Sequence, residues 1–313
     1  VNSKNERILI IRLGALGDLV FCFQSFYEIR QAHPNAEIVL LTRPPFASFA
    51  RSLPWIDRVI LDTHPTWKTP LEWLKLRKEI LELRPTRIYD LQGKRRQSIL
   101  YSMLGGPFGA AWSGAAPLCK FPRPWPPAPG MHFMDFLAAQ LRVAGVRALP
   151  APELSWLDAP IERFGLPERY AVLIPGCSPN APHKRWPPER FAELAGLLRN
   201  KGLACVTIGT EADAGAVAEI KANAAELSDL CGQTSLFELA GILRGAAVVV
   251  GNDTGPIHMG AAVGAPTVAL FSGRSSKVWS KPPGEKVVVV QSPHLGDLEA
   301  AAVLAAVEGI SRT

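Results

Sequence analysis

Short apolar runs without polar alternation recur along the whole 313-residue chain, and each ends in a polar, glycine-bearing loop that feeds a helical pattern. Continuous apolar strands are expected where helices cover both faces of a parallel sheet, so this rhythm points to βα units rather than hairpins. In the first half the runs fall at 7–13, 37–42, 58–62 and 87–92, with helical patterns near 19–33, 44–52, 68–84, 93–104 and 134–146. The rhythm then restarts. Strands are expected at 170–176, 204–209, 247–253, 267–272 and 286–291, with helices near 188–200, 213–227, 235–244, 255–263 and 297–309. The expected fold is therefore two doubly wound parallel-sheet domains, 1–150 and 151–313, with a cleft between them and ligands beyond the carboxyl ends of the strands. The proline-rich stretch 148–160 reads as the interdomain linker, and a second one, 120–130, as an extended surface loop.

Composition removes several classes. Hydrophobic residues make up 48 % and charged residues 20 %, which is a folded chain rather than a disordered one. No apolar run approaches the roughly 18–20 residues of a membrane span. The N-terminal run is broken by Arg12 and Asp18 and does not read as a signal peptide. Five dispersed cysteines with no CxxC spacing read as reduced, buried thiols of the cytosol. Charge is uneven: residues 1–150 carry 20 Lys+Arg against 11 Asp+Glu, and residues 151–313 carry 14 against 17. A basic first half suits an anionic partner. The cations lack the interleaved aromatics or helix-turn-helix context of a nucleic-acid binder, so none is expected. No stretch reads as an amphipathic membrane anchor.

The chemistry-bearing residues fall at strand ends. In "VVVGNDTGPIHMGAA" (248–262) a strand runs into Asp253, Thr254, Gly255 and Pro256, which open a helix, with His258 one turn in. Asp253 or Thr254 can cap that helix, and Pro256 suits its first turn. The same stretch can equally hold an anion on helix N–H groups approached across Gly251 and Gly255, with His258 adding a proton or a charge. "PGCSPNAPHKRW" (175–186) brings Asn180, Lys184 and Arg185 to another strand end, as a phosphate contact or as a solvated basic turn. In "GTEADA" (209–214), Glu211 and Asp213 are candidates for ribose hydroxyls, or for helix caps. "TSLFE" (234–238) places Thr234 or Ser235 as a helix cap with Glu238 closing a capping box. In the first half "DLQGKRRQS" (90–98) places Lys94, Arg95 and Arg96 at a helix start, where three cations oppose the helix dipole unless an anion is present.

The loop "RLGALGD" (12–18) looks at first like a phosphate cradle. It lacks the third glycine of a dinucleotide fingerprint and the Lys-Ser/Thr of a P-loop, and its Asp18 would repel a diphosphate. Asp18 reads as a helix cap, a base, or both.

Taken in order, "RLGALGD", "DLQG", "PG…KRWPPERFAEL", "TSLFELAGIL" and "GNDTGPIHMGAA" resemble the ADP-heptose:lipopolysaccharide heptosyltransferases of glycosyltransferase family 9, over roughly residues 7–275. The resemblance implies a GT-B architecture, two Rossmann-like domains facing an interdomain cleft, with acceptor bound by the first and nucleotide-sugar by the second. It implies an inverting transfer of heptose from ADP-heptose to a lipopolysaccharide core acceptor, with no metal and no cofactor. Asp18 would be the general base. Asp253, Thr254, Gly255, Pro256 and His258 would surround the diphosphate, with Lys184 facing it and Asn180 nearby. Glu211 or Asp213 would hold the ribose, and Lys94, Arg95 and Arg96 would meet an anionic glycolipid acceptor. Such an enzyme would be cytoplasmic, in peripheral contact with the inner membrane through its basic first half. The alternatives are a GT-B enzyme with another nucleotide-sugar, and a non-catalytic protein that binds nucleotide-sugar or glycolipid.

Overall fold

A computed structural model describes residues 6–224 and 226–310. The chain divides into two compact units, Val1–Glu153 and Leu154–Thr313.

The first unit is built on six parallel strands: β1 (Arg7–Ile11), β2 (Glu37–Thr42), β3 (Arg58–Leu61), β4 (Arg87–Asp90), β5 (Ala111–Gly114) and β6 (Phe121–Pro122), in spatial order β3-β2-β1-β4-β5-β6. The helices are α1 (Leu16–Phe21), α2 (Phe23–Ala32), α3 (Ala47–Arg51), α4 (Pro70–Leu83), α5 (Arg95–Met103) and α6 (Phe133–Val143). The single helix expected at 19–33 is two. At Cys22 the N–H turns back to Leu19 in a tighter bond that ends α1, and α2 starts at the next residue. The sequence pattern also omits β5 and β6. Four residues that include Ser113 and Gly114 carry no strand signature, yet Trp112 between them is fully buried. The proline-rich 120–130 stretch is not wholly a surface loop. Phe121–Pro122 pairs along the edge of β5, where a proline removes no needed ladder bond, and Arg123 N–H donates to Gly114 C=O at 2.7 Å.

The second unit repeats the plan. Its strands are β7 (Tyr170–Ile174), β8 (Ala204–Thr207), β9 (Leu227–Asp229), β10 (Val248–Asn252), β11 (Thr267–Ser272) and β12 (Val287–Ser292), in order β12-β11-β10-β7-β8-β9. Helices α7 (Pro188–Arg199), α8 (Ala214–Asn223), α9 (Leu236–Gly245), α10 (Gly255–Ala262) and α11 (Ala300–Ile310) complete it. β9, three residues at the sheet edge, is too short to read from sequence. Ser235 is the cap of α9: its Oγ accepts from Glu238 N–H at 3.2 Å, while Ser235 N–H donates to Glu238 at 2.9 Å.

Each sheet reverses its strand order at a central pair, β1/β4 in one unit and β7/β10 in the other. Loops leave these pairs in opposite directions, which opens a crevice at the carboxyl ends of the strands. Both cores are continuous apolar clusters around the strands. Trp186 of "KRW" is 1 % exposed in the second, edge-on to Phe191 at 4.7 Å. The tryptophan of that motif is therefore a packing residue that pins the loop carrying Lys184.

Candidate active site

In the second unit the switch point gathers residues from four loops. Asn252, the last residue of β10 and fully buried, ties two of them together. Its Nδ2 donates to Pro175 C=O at 2.7 Å and its Oδ1 accepts from Trp186 N–H at 3.0 Å. The loop between them is thereby held over the end of β10, and Lys184 reaches Asp253 at 2.7 Å. The other carboxylate oxygen of Asp253 lies 3.4 Å from His258 Nε2, and Ser275, after β11, donates its hydroxyl to Asp253 at 2.9 Å. Burial alone would raise the Asp253 carboxyl, but His258 and Lys184 outweigh it and hold it down at about 2. Asp253 is thus a buried anion that organises two basic side chains and a hydroxyl.

Thr254 is the cap residue of α10, in extended conformation and without a side-chain cap bond, and Pro256 lies in the first turn. The N–H groups of Ile257 and His258 turn back to Thr254 C=O. A helix start has no internal acceptors for its leading N–H groups, and α10 starts two residues after Asp253, which Lys184 contacts. Gly251, by contrast, is required by packing: a Cβ there would lie 2.4 Å from Ile174 Cβ on β7. The strand pair by itself requires the absence of a side chain there.

Glu211 and Asp213 share a short turn after β8 but differ in what they do. Asp213 closes a capping box, accepting from Thr210 N–H and Thr210 Oγ1, both at 2.9 Å. It is also wedged against Gly176 and Gly209, where added Cβ atoms would meet its side chain at 2.5 and 3.1 Å. Asp213 therefore joins the β8 turn to the loop bearing Lys184, and Glu211 is the exposed acid of the pair. Asn180 is exposed on that loop.

In the first unit, Asp18 is the third residue of α1 and not its cap position. Its Oδ2 accepts from Ala15 N–H at 3.0 Å and its Oδ1 pairs with Arg12 at 2.8 Å. The carboxylate remains 41 % exposed, so two bonds fix its orientation while lone pairs stay open to solvent. Arg12 is buried, donates to Leu91 C=O at 2.6 Å and lies over the Phe133 ring. The glycine of this loop is a packing device: Gly14 has φ +101°, and a Cβ would lie 2.2 Å from the Phe46 ring.

The basic run at α5 divides. Lys94 and Arg95 are exposed at the helix start. Arg96 turns inward, pairs with buried Asp62 at 2.7 Å and stacks on Trp73 at 4.3 Å from the ring centre. The anion that offsets the third cation is thus supplied by the protein. Beside it, Gly93 (φ +63°) makes room for Arg123, which donates to Asp90 C=O at 2.7 Å. Burial raises the Asp90 carboxyl to about 6, against the lowering effect of Arg123 and the N–H groups of Gly93 and Gln92. Among the described residues, no three His, Cys, Asp or Glu side chains gather in a group that could hold a metal ion.

Sequence reasoning missed Asn252, Ser275, Arg12, Asp62 and Arg123. Arg12 had a signal, a charge inside an apolar run. Asp62 and Ser275 had none, because their partners lie 34 and 22 residues away.

The profile of glycosyltransferase family 9 (heptosyltransferase) matches residues 73–304. The chain belongs to glycosyltransferase family 9. Among curated relatives, this family 9 enzyme is 27 % identical to lipopolysaccharide heptosyltransferase 1 of Pseudomonas aeruginosa, covering 85 % of this chain and 78 % of that protein. It is also 27 % identical to lipopolysaccharide heptosyltransferase 2 of Escherichia coli, covering 91 % and 88 %. Its fold matches the solved E. coli ADP-heptose heptosyltransferase II with TM-score 0.77 at 24 % identity, covering 98 % of each chain. It also matches a UDP-GlcNAc 2-epimerase of Methanocaldococcus jannaschii with TM-score 0.57 at 13 % identity, covering 99 % and 93 %. The GT-B fold is thus shared with an enzyme of different chemistry, and it is the family match that makes this chain a glycosyltransferase.

Proposed function

We propose that this glycosyltransferase moves a heptose from ADP-heptose to a sugar of a lipopolysaccharide core acceptor, with inversion at the anomeric carbon and without a metal. The observation that carries the reading is the Lys184–Asp253–His258 cluster beside the start of α10, within a chain whose curated relatives are named for lipopolysaccharide heptose transfer.

An inverting transfer needs a base for the attacking hydroxyl and stabilisation of the departing diphosphate. Asp18 takes the first role: its carboxylate, oriented by Arg12 and Ala15 N–H, accepts the acceptor's proton as the hydroxyl oxygen bonds to the heptose C1. The C1–oxygen bond to ADP breaks at the same time, and ADP leaves with the electron pair. Charge accumulating on the diphosphate is met by Lys184, His258 and the N–H groups of Thr254 and Gly255, which together do the work a divalent cation does elsewhere. Asp253 positions Lys184 and His258. Glu211 accepts from the ribose hydroxyls, with Asp213 supporting its turn, and Asn180 and Pro256 border the donor. Lys94 and Arg95 meet the anionic groups of the acceptor, while Arg96 holds the start of α5 on Asp62. A lipid-anchored acceptor places the enzyme peripherally on the cytoplasmic face of the inner membrane. No helix among the described residues is long and apolar enough to cross it.

The test is incubation of the chain with ADP-heptose and heptose-free lipopolysaccharide acceptors, read by mass spectrometry. The expected result is one heptose mass added to the acceptor and one ADP released. ADP-heptose left intact, with transfer from another nucleotide-sugar, would overturn the donor assignment.

A further inference from the structure

Helix α4 has two apolar faces. Leu76, Ile80 and Leu83 pack into the core of the first unit. On the opposite side Leu71, Leu74 and Leu81 are exposed, and Trp67, just before the helix, is 84 % exposed. Within α4 the spacing 71, 74, 81 keeps the three leucines on one side, shared with Lys75, Lys78 and Glu82, and Trp67 lies in the turn that precedes the helix. A surface helix ordinarily carries polar groups opposite its core face, so a crest of leucines there needs a purpose.

The first unit exposes further apolar side chains. Arg77 on α4 donates to Met103 C=O at the end of α5, and the turn that follows carries Phe108, 96 % exposed. Among the described residues, nine of the ten exposed large hydrophobic side chains belong to the first unit. That unit also carries the chain's basic excess. From Trp67 to Arg84 there are five cations against three carboxylates, and the Lys68 ammonium lies 5.3 Å from the Trp67 ring centre.

We propose that the exposed leucine side of α4, with Trp67 in the turn before it, docks the first unit on the surface of an anionic lipid bilayer. Trp67 sits at headgroup level, Leu71 and Leu74 enter the acyl boundary, and Lys68 and Lys75 meet lipid phosphates, joined by Lys78 as it exchanges its exposed pairing with Glu82 at 3.7 Å. This rests on the reading above that the acceptor is lipid-anchored, and it names the surface that meets the lipid. Charge complementarity selects the occupant. A second copy would bring the same positive sign to the face, whereas an anionic bilayer satisfies the leucines and the lysines together.

The test is co-sedimentation of the full chain with vesicles of phosphatidylcholine containing phosphatidylglycerol, and with pure phosphatidylcholine vesicles. The expected result is strong partitioning onto the anionic vesicles only, reduced roughly tenfold or more in Leu71→Glu/Leu74→Glu and reduced also in Lys75→Gln/Lys78→Gln. Near-ultraviolet circular dichroism and the melting temperature stay unchanged in both variants, which shows that the first unit still folds. Equal partitioning of variants and parent would overturn the proposal, as would equal binding to neutral vesicles. A dimer in light scattering that Leu71→Glu/Leu74→Glu dissociates would assign the face to a second copy instead. Heptose transfer to a water-soluble truncated acceptor is measured in parallel, so that failure of the proposed reaction is seen separately from failure of docking.

Discussion

Replacing Lys184 by alanine tests the assignment of the diphosphate site. In the unliganded protein Lys184 is not idle: its ammonium lies 2.7 Å from Asp253, in a cluster that holds that carboxyl at about 2 rather than 3.8. The shift corresponds to about 2 kcal/mol of preference for the ionised form in the fold, shared between Lys184 and His258 and net of burial. Lys184→Ala therefore has two consequences. It destabilises the second unit by about 1 kcal/mol, since His258 and Ser275 still contact Asp253. It also removes a charge-assisted hydrogen bond to the diphosphate, worth about 1.5–3 kcal/mol. Because the ammonium must be shared with Asp253, the lower end applies, and ADP affinity falls roughly tenfold. The assay is titration calorimetry at fixed salt with ADP and, as control, with adenosine. ADP affinity should fall while adenosine affinity stays level. An unchanged ADP affinity, or an equal loss for both ligands, would show that Lys184 does not face the phosphates.

The remaining predictions follow from packing and charge. Gly251→Ala drives a Cβ to within 2.4 Å of Ile174 and lowers stability by about 2–3 kcal/mol in urea unfolding, with no direct effect on donor contacts. Asp90, raised to about 6, contributes stability that is fully present below its ordinary value of 3.8 and is lost as pH rises through 6. The urea midpoint of the parent should fall from pH 5 to 7 by the equivalent of about 1 kcal/mol, and Asp90→Asn should abolish that slope. Asp253 stays ionised across this window and adds none, since its contribution is lost only as pH falls through about 2. Lys94→Ala/Arg95→Ala should raise the acceptor KM at unchanged melting temperature. Arg96→Ala, which leaves Asp62 buried without its partner, should instead lower the melting temperature.

The sequence discloses the central strands well, because β1, β2, β7, β10 and β11 are near-continuous apolar runs of the kind a doubly covered sheet requires. Strands β5, β6 and β9 escape it: β6 and β9 are edge strands of two and three residues, and half of the four residues of β5 are Ser113 and Gly114. Of the site, the chemical types at strand ends are legible: a cation, an acid, a histidine and a helix start. Their pairing is not. Lys184 and Asp253 meet because Asn252 clamps Trp186 and Pro175, a bond between residues 66 and 77 positions apart. Arg96 illustrates the opposite error. A basic run at a helix start reads as an open anion rim, yet its third member is consumed by Asp62, just past the end of β3. Asp213 is likewise consumed by its own turn. Short-range spacing reveals what a residue can do, whereas long-range partners decide whether it is available.

The central claim is that Asp18 is the base of a transfer whose leaving group is held in the second unit. Single-turnover transfer from ADP-heptose to a lipopolysaccharide acceptor by Asp18→Asn tests it most directly, with ADP affinity measured on the same protein. The carboxamide can still accept from Ala15 N–H, so α1 keeps its start while the proton acceptor is lost. The account predicts a fall in rate of about 10²–10⁴-fold with ADP affinity unchanged. A near-parental rate would contradict it and leave Asp18 as a helix-start residue only.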